Sequence, residues 1–114
     1  EVSEHLRGTL AEGGVTTPVF GSFDEAEEAR VVRIDSASIL DASRALTAGA
    51  DVDALFLSCT NLRTRDVIAP LEADLKLPVL SSNLVLGWHM AGLAGLAVTG
   101  EFAAARLFKK PVPA

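Results

Sequence analysis

Cysteine is almost absent from this chain: its 114 residues include one, Cys59, alongside two histidines and no tyrosine. A single cysteine excludes an internal disulfide, and His5 and His89 lie too far apart in sequence to form a recognisable metal-ligand spacing. If Cys59 matters chemically, it matters as a thiol. One tryptophan and no tyrosine leave little for a surface that stacks bases or sugars. Basic residues are outnumbered ten to fifteen and interspersed with the acidic ones, so no basic face follows a phosphate backbone and nucleic acid is not an expected partner. Also missing is any apolar run near the roughly 20 residues that cross a bilayer, and no charged-then-apolar leader opens the chain. No membrane partner is expected, the expected location is cytoplasmic, and small molecules remain the natural ligand class.

What is present is an apolar fraction of 49%, enough for one compact unit. Val2, Leu6 and Leu10 fall four apart, a helical stripe ending at Gly13-Gly14. The β-branched and aromatic stretch from Val15 to Phe23 reads as an edge strand because Pro18 lies inside it. The charged segment from Asp24 to Arg30 reads as a short helix or loop with a solvated acidic face. Asp35 or Ser36 caps a helix carrying Ile39, Leu40, Ala42, Ala45 and Leu46, which Gly49 ends. Ala54-Leu55-Phe56-Leu57 reads as a parallel strand buried on both faces. Helical spacing returns at Val67, Ile68, Leu71 and Leu75, with Pro70 marking a kink or an early turn. A second short strand, Pro78-Val79-Leu80, leads to a helix capped by Ser82 or Asn83, whose apolar residues surround its axis so fully that burial on several sides is expected. Glu101 to Lys110 forms a last short helix. Strands alternating with helices define an α/β class, a parallel sheet flanked by helices.

In such sheets ligands bind beyond the carboxyl ends of the strands. Two such ends are visible, Ser58-Cys59-Thr60-Asn61 and Ser81-Ser82-Asn83. A cysteine between a buried strand and a helix sits where backbone N–H groups favour a thiolate, a carboxylate or an enolate oxygen. Thr60 and Asn61 would supply those groups, and Ser81 and Ser82 would orient a substrate carboxylate. The bland readings are that Cys59 is a small buried hydrophobe, that the serines only cap and turn, and that His89 is a structural group on an apolar helix. Arg63 and Arg65 either neutralise an acidic ligand or lie on the surface.

The segments Ser58-Cys59-Thr60-Asn61-Leu62-Arg63-Thr64 and Leu77-Pro78-Val79-Leu80-Ser81-Ser82-Asn83, with the Trp88-His89 helix, resemble the maleate isomerase and arylmalonate decarboxylase branch of the aspartate/glutamate racemase superfamily, including its ectoine-utilisation proteins. The likeness is densest from Asp53 to Gly95. It implies two similar α/β halves about a pseudo-twofold axis, a cleft between them and no cofactor or metal. On that basis residues 1–114 are the C-terminal half, inactive alone, with the N-terminal half outside the chain and an apolar face that favours homo-oligomers. Racemases and maleate isomerases of this group use one cysteine from each half, and arylmalonate decarboxylases use one, in the second half. Cys59 matches that second-half thiol. The wording of the motif favours a cofactor-free isomerase or racemase of a small carboxylic or dicarboxylic acid, with Cys59 as acid or base. The alternatives are a decarboxylase of the arylmalonate type and a non-catalytic small-acid binder. The chain departs from the isomerase pattern in one place within its length: no asparagine occurs between Asp24 and Arg30.

Overall fold

Helical periodicity and two short apolar runs divide the chain much as the residues dictate, and the computed structural model describes residues 2–113. Helix α1 spans Val2–Glu12, a single turn α2 spans Glu28–Val31, and α3 spans Ser36–Thr47. Strand β1 (Leu55–Leu57) is followed by α4 (Arg65–Leu75), β2 (Val79–Ser81) and α5 (Ser82–Leu93), then by two 3-10 turns, Glu101–Ala104 and Arg106–Lys109. The strands pair in parallel with Leu55 opposite Val79, Phe56 opposite Leu80 and Leu57 opposite Ser81. Helix α4 makes the crossover that parallel pairing requires.

The core lies on one face of this two-stranded sheet. Alternation along β1 sends Leu55 and Leu57 inward, where they join Ile39 of α3, Val67, Ile68 and Leu71 of α4, Val79 of β2 and Leu84 of α5. Phe56 points the other way and is 41% exposed. The expected burial of this strand on both faces is therefore corrected: among the described residues only one face is covered. The same holds for α5, where Leu84 is buried while Leu86, Met90 and Leu93 stay exposed, against the expectation of burial on several sides. Trp88 anchors the C-terminal segment to this helix by donating its indole N–H to the Lys110 carbonyl at 3.0 Å. At Gly92 a β-carbon would overlap Val112, so the close approach of that segment requires glycine. No helix among the described residues is long and apolar enough to cross a membrane.

Three further expectations change. Residues 15 to 23 form no strand: Pro18 lacks an N–H, and the Thr17 carbonyl accepts a hydrogen bond from the Arg7 guanidinium at 3.0 Å, which removes another ladder group. The last segment forms 3-10 turns rather than one helix. Ser81, not Ser82 or Asn83, caps α5, its hydroxyl accepting the Leu84 N–H at 3.1 Å. Asp35 caps α3, as one of its two expected candidates, accepting the Ser38 N–H at 2.7 Å. Helix α4 runs through Pro70, whose missing N–H would have faced the Asp66 carbonyl on the exposed side of the helix.

The buried Glu72 carboxylate ties three parts together. It accepts the Val79 N–H at 3.0 Å and the Arg106 N–H at 3.3 and 3.2 Å, so α4, the start of β2 and the last 3-10 turn share one acceptor. Glu72→Ala leaves the Val79 donor buried without a partner and is expected to cost about 2 kcal/mol in urea unfolding, with Glu72→Gln costing less because one acceptor oxygen remains. A second expectation concerns pH. Hydrogen bonds from the Ser38 N–H and hydroxyl hold the Asp35 carboxyl below its ordinary value of 3.8. The folded group is the stronger acid, so its contribution is complete above 3.8 and disappears as pH falls through the lowered value. Asp35→Asn, which keeps a cap, should flatten that part of the stability profile measured between neutral and acid pH.

Candidate active site

The register of β1 against β2 sets the two carboxyl-terminal strand ends side by side, and side chains then join them. The Cys59 N–H donates to Ser82 Oγ at 3.1 Å, and Asn83 Nδ2 donates to the Thr60 carbonyl at 2.9 Å. The turn closes with the Leu62 N–H donating to the Cys59 carbonyl at 3.4 Å. Cys59 is exposed, so burial as a small hydrophobe does not describe it. Its φ of 130° lies in the region that side chains rarely adopt, a conformation that costs on the order of 1–3 kcal/mol and persists only where surrounding contacts over-determine it.

One feature of the expected site is corrected. Helix α4 begins at Arg65, so the N–H groups of Thr60 and Asn61 belong to the loop after β1 and not to the first turn of a helix. Neither N–H has an acceptor among the described residues, which leaves both free to bind a ligand oxygen. Ser81 is 2% exposed and committed to capping, whereas Ser82 is half-buried and committed to Cys59. Ser82 therefore holds the loop, while Ser81 caps α5 and lines the cavity beside the loop. Asn83, read from the sequence as a candidate cap, grips the loop directly instead; its signal was adjacency to Ser82 at a strand end. Glu28, read as part of a solvated face, is exposed as expected and also reaches Asn61, accepting from Nδ2 at 2.6 Å.

A cavity of about 810 Å³ opens beside the loop, with Thr60, Asn61 and Thr64 on its polar side and Leu62, Leu84 and Phe102 among its apolar walls. Cys59 and Ser82 are not part of its lining. Arg65, at its edge, is paired with Glu101 and stacked 5.2 Å from the Phe102 ring centroid. The Glu101 carboxylate pushes its pKa further up. Arg63 is exposed and has no ion-pair partner among the described residues. His89 is exposed, 6.2 Å from the Trp88 ring, and His5 is exposed on α1, so neither approaches the thiol loop through any hydrogen bond among the described residues. No group of three or more His, Cys, Asp or Glu side chains among the described residues is arranged to hold a metal ion.

A parallel α/β unit with a strained, exposed thiol at a strand end defines the class. The sequence model of the arylmalonate decarboxylase family matches residues 1–108, and the chain belongs to that family. Arylmalonate decarboxylase of Bordetella bronchiseptica is 33% identical over 109 residues, which cover 95% of this chain and 45% of that protein. Two solved structures are similar: arylmalonate decarboxylase, with a TM-score of 0.81 and 31% identity over 95% of this chain and 48% of its own, and a glycine-to-cysteine variant in a sulfate-associated form, with a TM-score of 0.82 and 31% identity over 96% and 47%. The chain thus spans a little under half the length of these relatives. Their α/β fold agrees with the class expected from sequence. The family is the branch that the sequence ranked as the alternative to an isomerase.

The backbone at Cys59 gives a direct test. Cys59→Gly should be more stable than Cys59→Ala by about 1 kcal/mol in denaturant unfolding, reversing the usual order of these residues, because only glycine adopts a φ of 130° without strain.

Proposed function

We propose that this chain carries the proton-delivering half of a cofactor-free decarboxylase acting on substituted malonates, with Cys59 as the proton donor. The observation that carries the reading is the exposed thiol on a strained backbone at the end of β1, held by Ser82, in a chain of the arylmalonate decarboxylase family. The isomerase reading retains support only at the level of the shared superfamily.

The chemistry follows from what each group can do. The bond between the α-carbon and one carboxylate breaks, that carboxylate leaves as CO2, and the electron pair stays on the α-carbon, delocalised into the remaining carboxylate as an enediolate. Negative charge grows on oxygen, and the free N–H groups of Thr60 and Asn61 are suited to bind it. The Cys59 S–H then gives its proton to the α-carbon, forming a C–H bond, and the thiolate regains a proton from water. Placing one donor on one side of a planar enediolate fixes the face that receives the proton. An exposed thiol at a rigid strand end is suited to that task because its backbone is held from two sides.

In a protein of the relatives' full length, Cys59→Ser is expected to lower CO2 release from an arylmalonate by a factor of about 10² or more, since general acid catalysis contributes about 10²–10⁴. The unfolding midpoint should change little. Turnover by Cys59→Ser equal to that of the parent enzyme would refute the assignment. A variant that binds the acid normally in a parent that never turns it over would favour the non-catalytic reading.

A further inference from the structure

We propose that Glu28 is a positioning residue for the thiol loop, acting through Asn61; its catalytic readout rests on the decarboxylase reading above. Glu28 lies in α2, far from the strands in sequence, yet its carboxylate accepts from Asn61 Nδ2 at 2.6 Å, the short separation of a charge-assisted hydrogen bond. The neighbouring cations do not compete for it. Arg30 pairs with Glu25 and Glu27 at 4.0 and 3.0 Å, and among the described residues Glu28 has no cationic partner. Val32, just past the same turn, lines the cavity that Thr60 and Asn61 also line, so the α2 segment forms a wall beside the loop.

The loop is therefore gripped from two directions. Ser82 and Asn83 hold residues 59 and 60 from α5, and Glu28 holds residue 61 from α2. A residue kept at a φ of 130° needs such over-determination. With Glu28 removed, the Asn61 amide turns freely, and only the α5 grip remains to keep the Thr60 and Asn61 N–H groups beside the thiol.

The test uses Glu28→Ala, Glu28→Gln, Asn61→Ala and the Glu28→Ala/Asn61→Ala double variant in the full-length enzyme, with an arylmalonate as substrate. Glutamine keeps an acceptor for Asn61, and alanine does not. The expected result is a kcat about tenfold lower for Glu28→Ala, with KM within about twofold, as for other small misplacements of a reacting group. Glu28→Gln should recover most of the loss, and the double variant should be no worse than Asn61→Ala. The rate of Cys59 alkylation by iodoacetamide, which needs no substrate, should separate Glu28→Ala from both Glu28→Gln and the parent. Glu28→Ala behaving as the parent in both measurements, Glu28→Gln as impaired as Glu28→Ala, or effects that multiply in the double variant would each overturn the proposal. If the parent releases no CO2, the decarboxylase reading falls and alkylation alone decides: the same ranking supports positioning, and equal rates overturn it.

Discussion

The hydrogen bond from the Cys59 N–H to the Ser82 hydroxyl is the contact on which the rest of the site depends. It exists because β1 and β2 pair in parallel with Leu57 opposite Ser81, which brings the residues after each strand to the same edge. A slip of one residue would send Leu55 and Leu57 to the open face and separate the two loops. The slip is opposed by the core that Leu55, Leu57 and Val79 share with Val67, Ile68 and Leu71 of α4 and Ile39 of α3. Core packing thus acts at a distance: it sets the register, the register sets the meeting of the loops, and the loops hold the thiol in a conformation it would not choose.

A buried carboxylate performs the corresponding work at the other end of the strands. Glu72 accepts from the first residue of β2 and from Arg106, which ties the crossover helix and the C-terminal turns to the sheet. Backbone N–H donors, and not a cation, satisfy it among the described residues. Rigidity at this end and strain at the other are complementary, because a strained residue is tolerated only on a scaffold that does not relax around it.

Much of this was legible in the sequence. The apolar run before Cys59 and the helical spacing at Val67, Ile68 and Leu71 placed the thiol at the end of a parallel strand and the crossover helix after it. The cap at Asp35 was legible because its side chain acts locally. What failed involved long-range effects. The stretch around Pro18 has strand-like residues but no partner strand among the described residues, and Arg7 takes one of its carbonyls. Phe56 and Met90 have core-like composition, but composition does not say which face finds a neighbour. Glu28 could not be read as part of the site, since nothing in the wording of an acidic stretch reveals an amide 33 residues away. The wording around Cys59 resembles both the isomerase and the decarboxylase branch and favours the first, an order that the family match reverses.

The central claim is that Cys59 is the reacting thiol of a carboxylate site, and the most direct test is its alkylation by iodoacetamide in the full-length protein, followed by intact mass and by CO2 release from an arylmalonate. The account predicts that one equivalent of label on Cys59 abolishes turnover and that a substituted malonate slows labelling in proportion to its occupancy. Full activity after stoichiometric labelling, or labelling indifferent to the malonate, would contradict it.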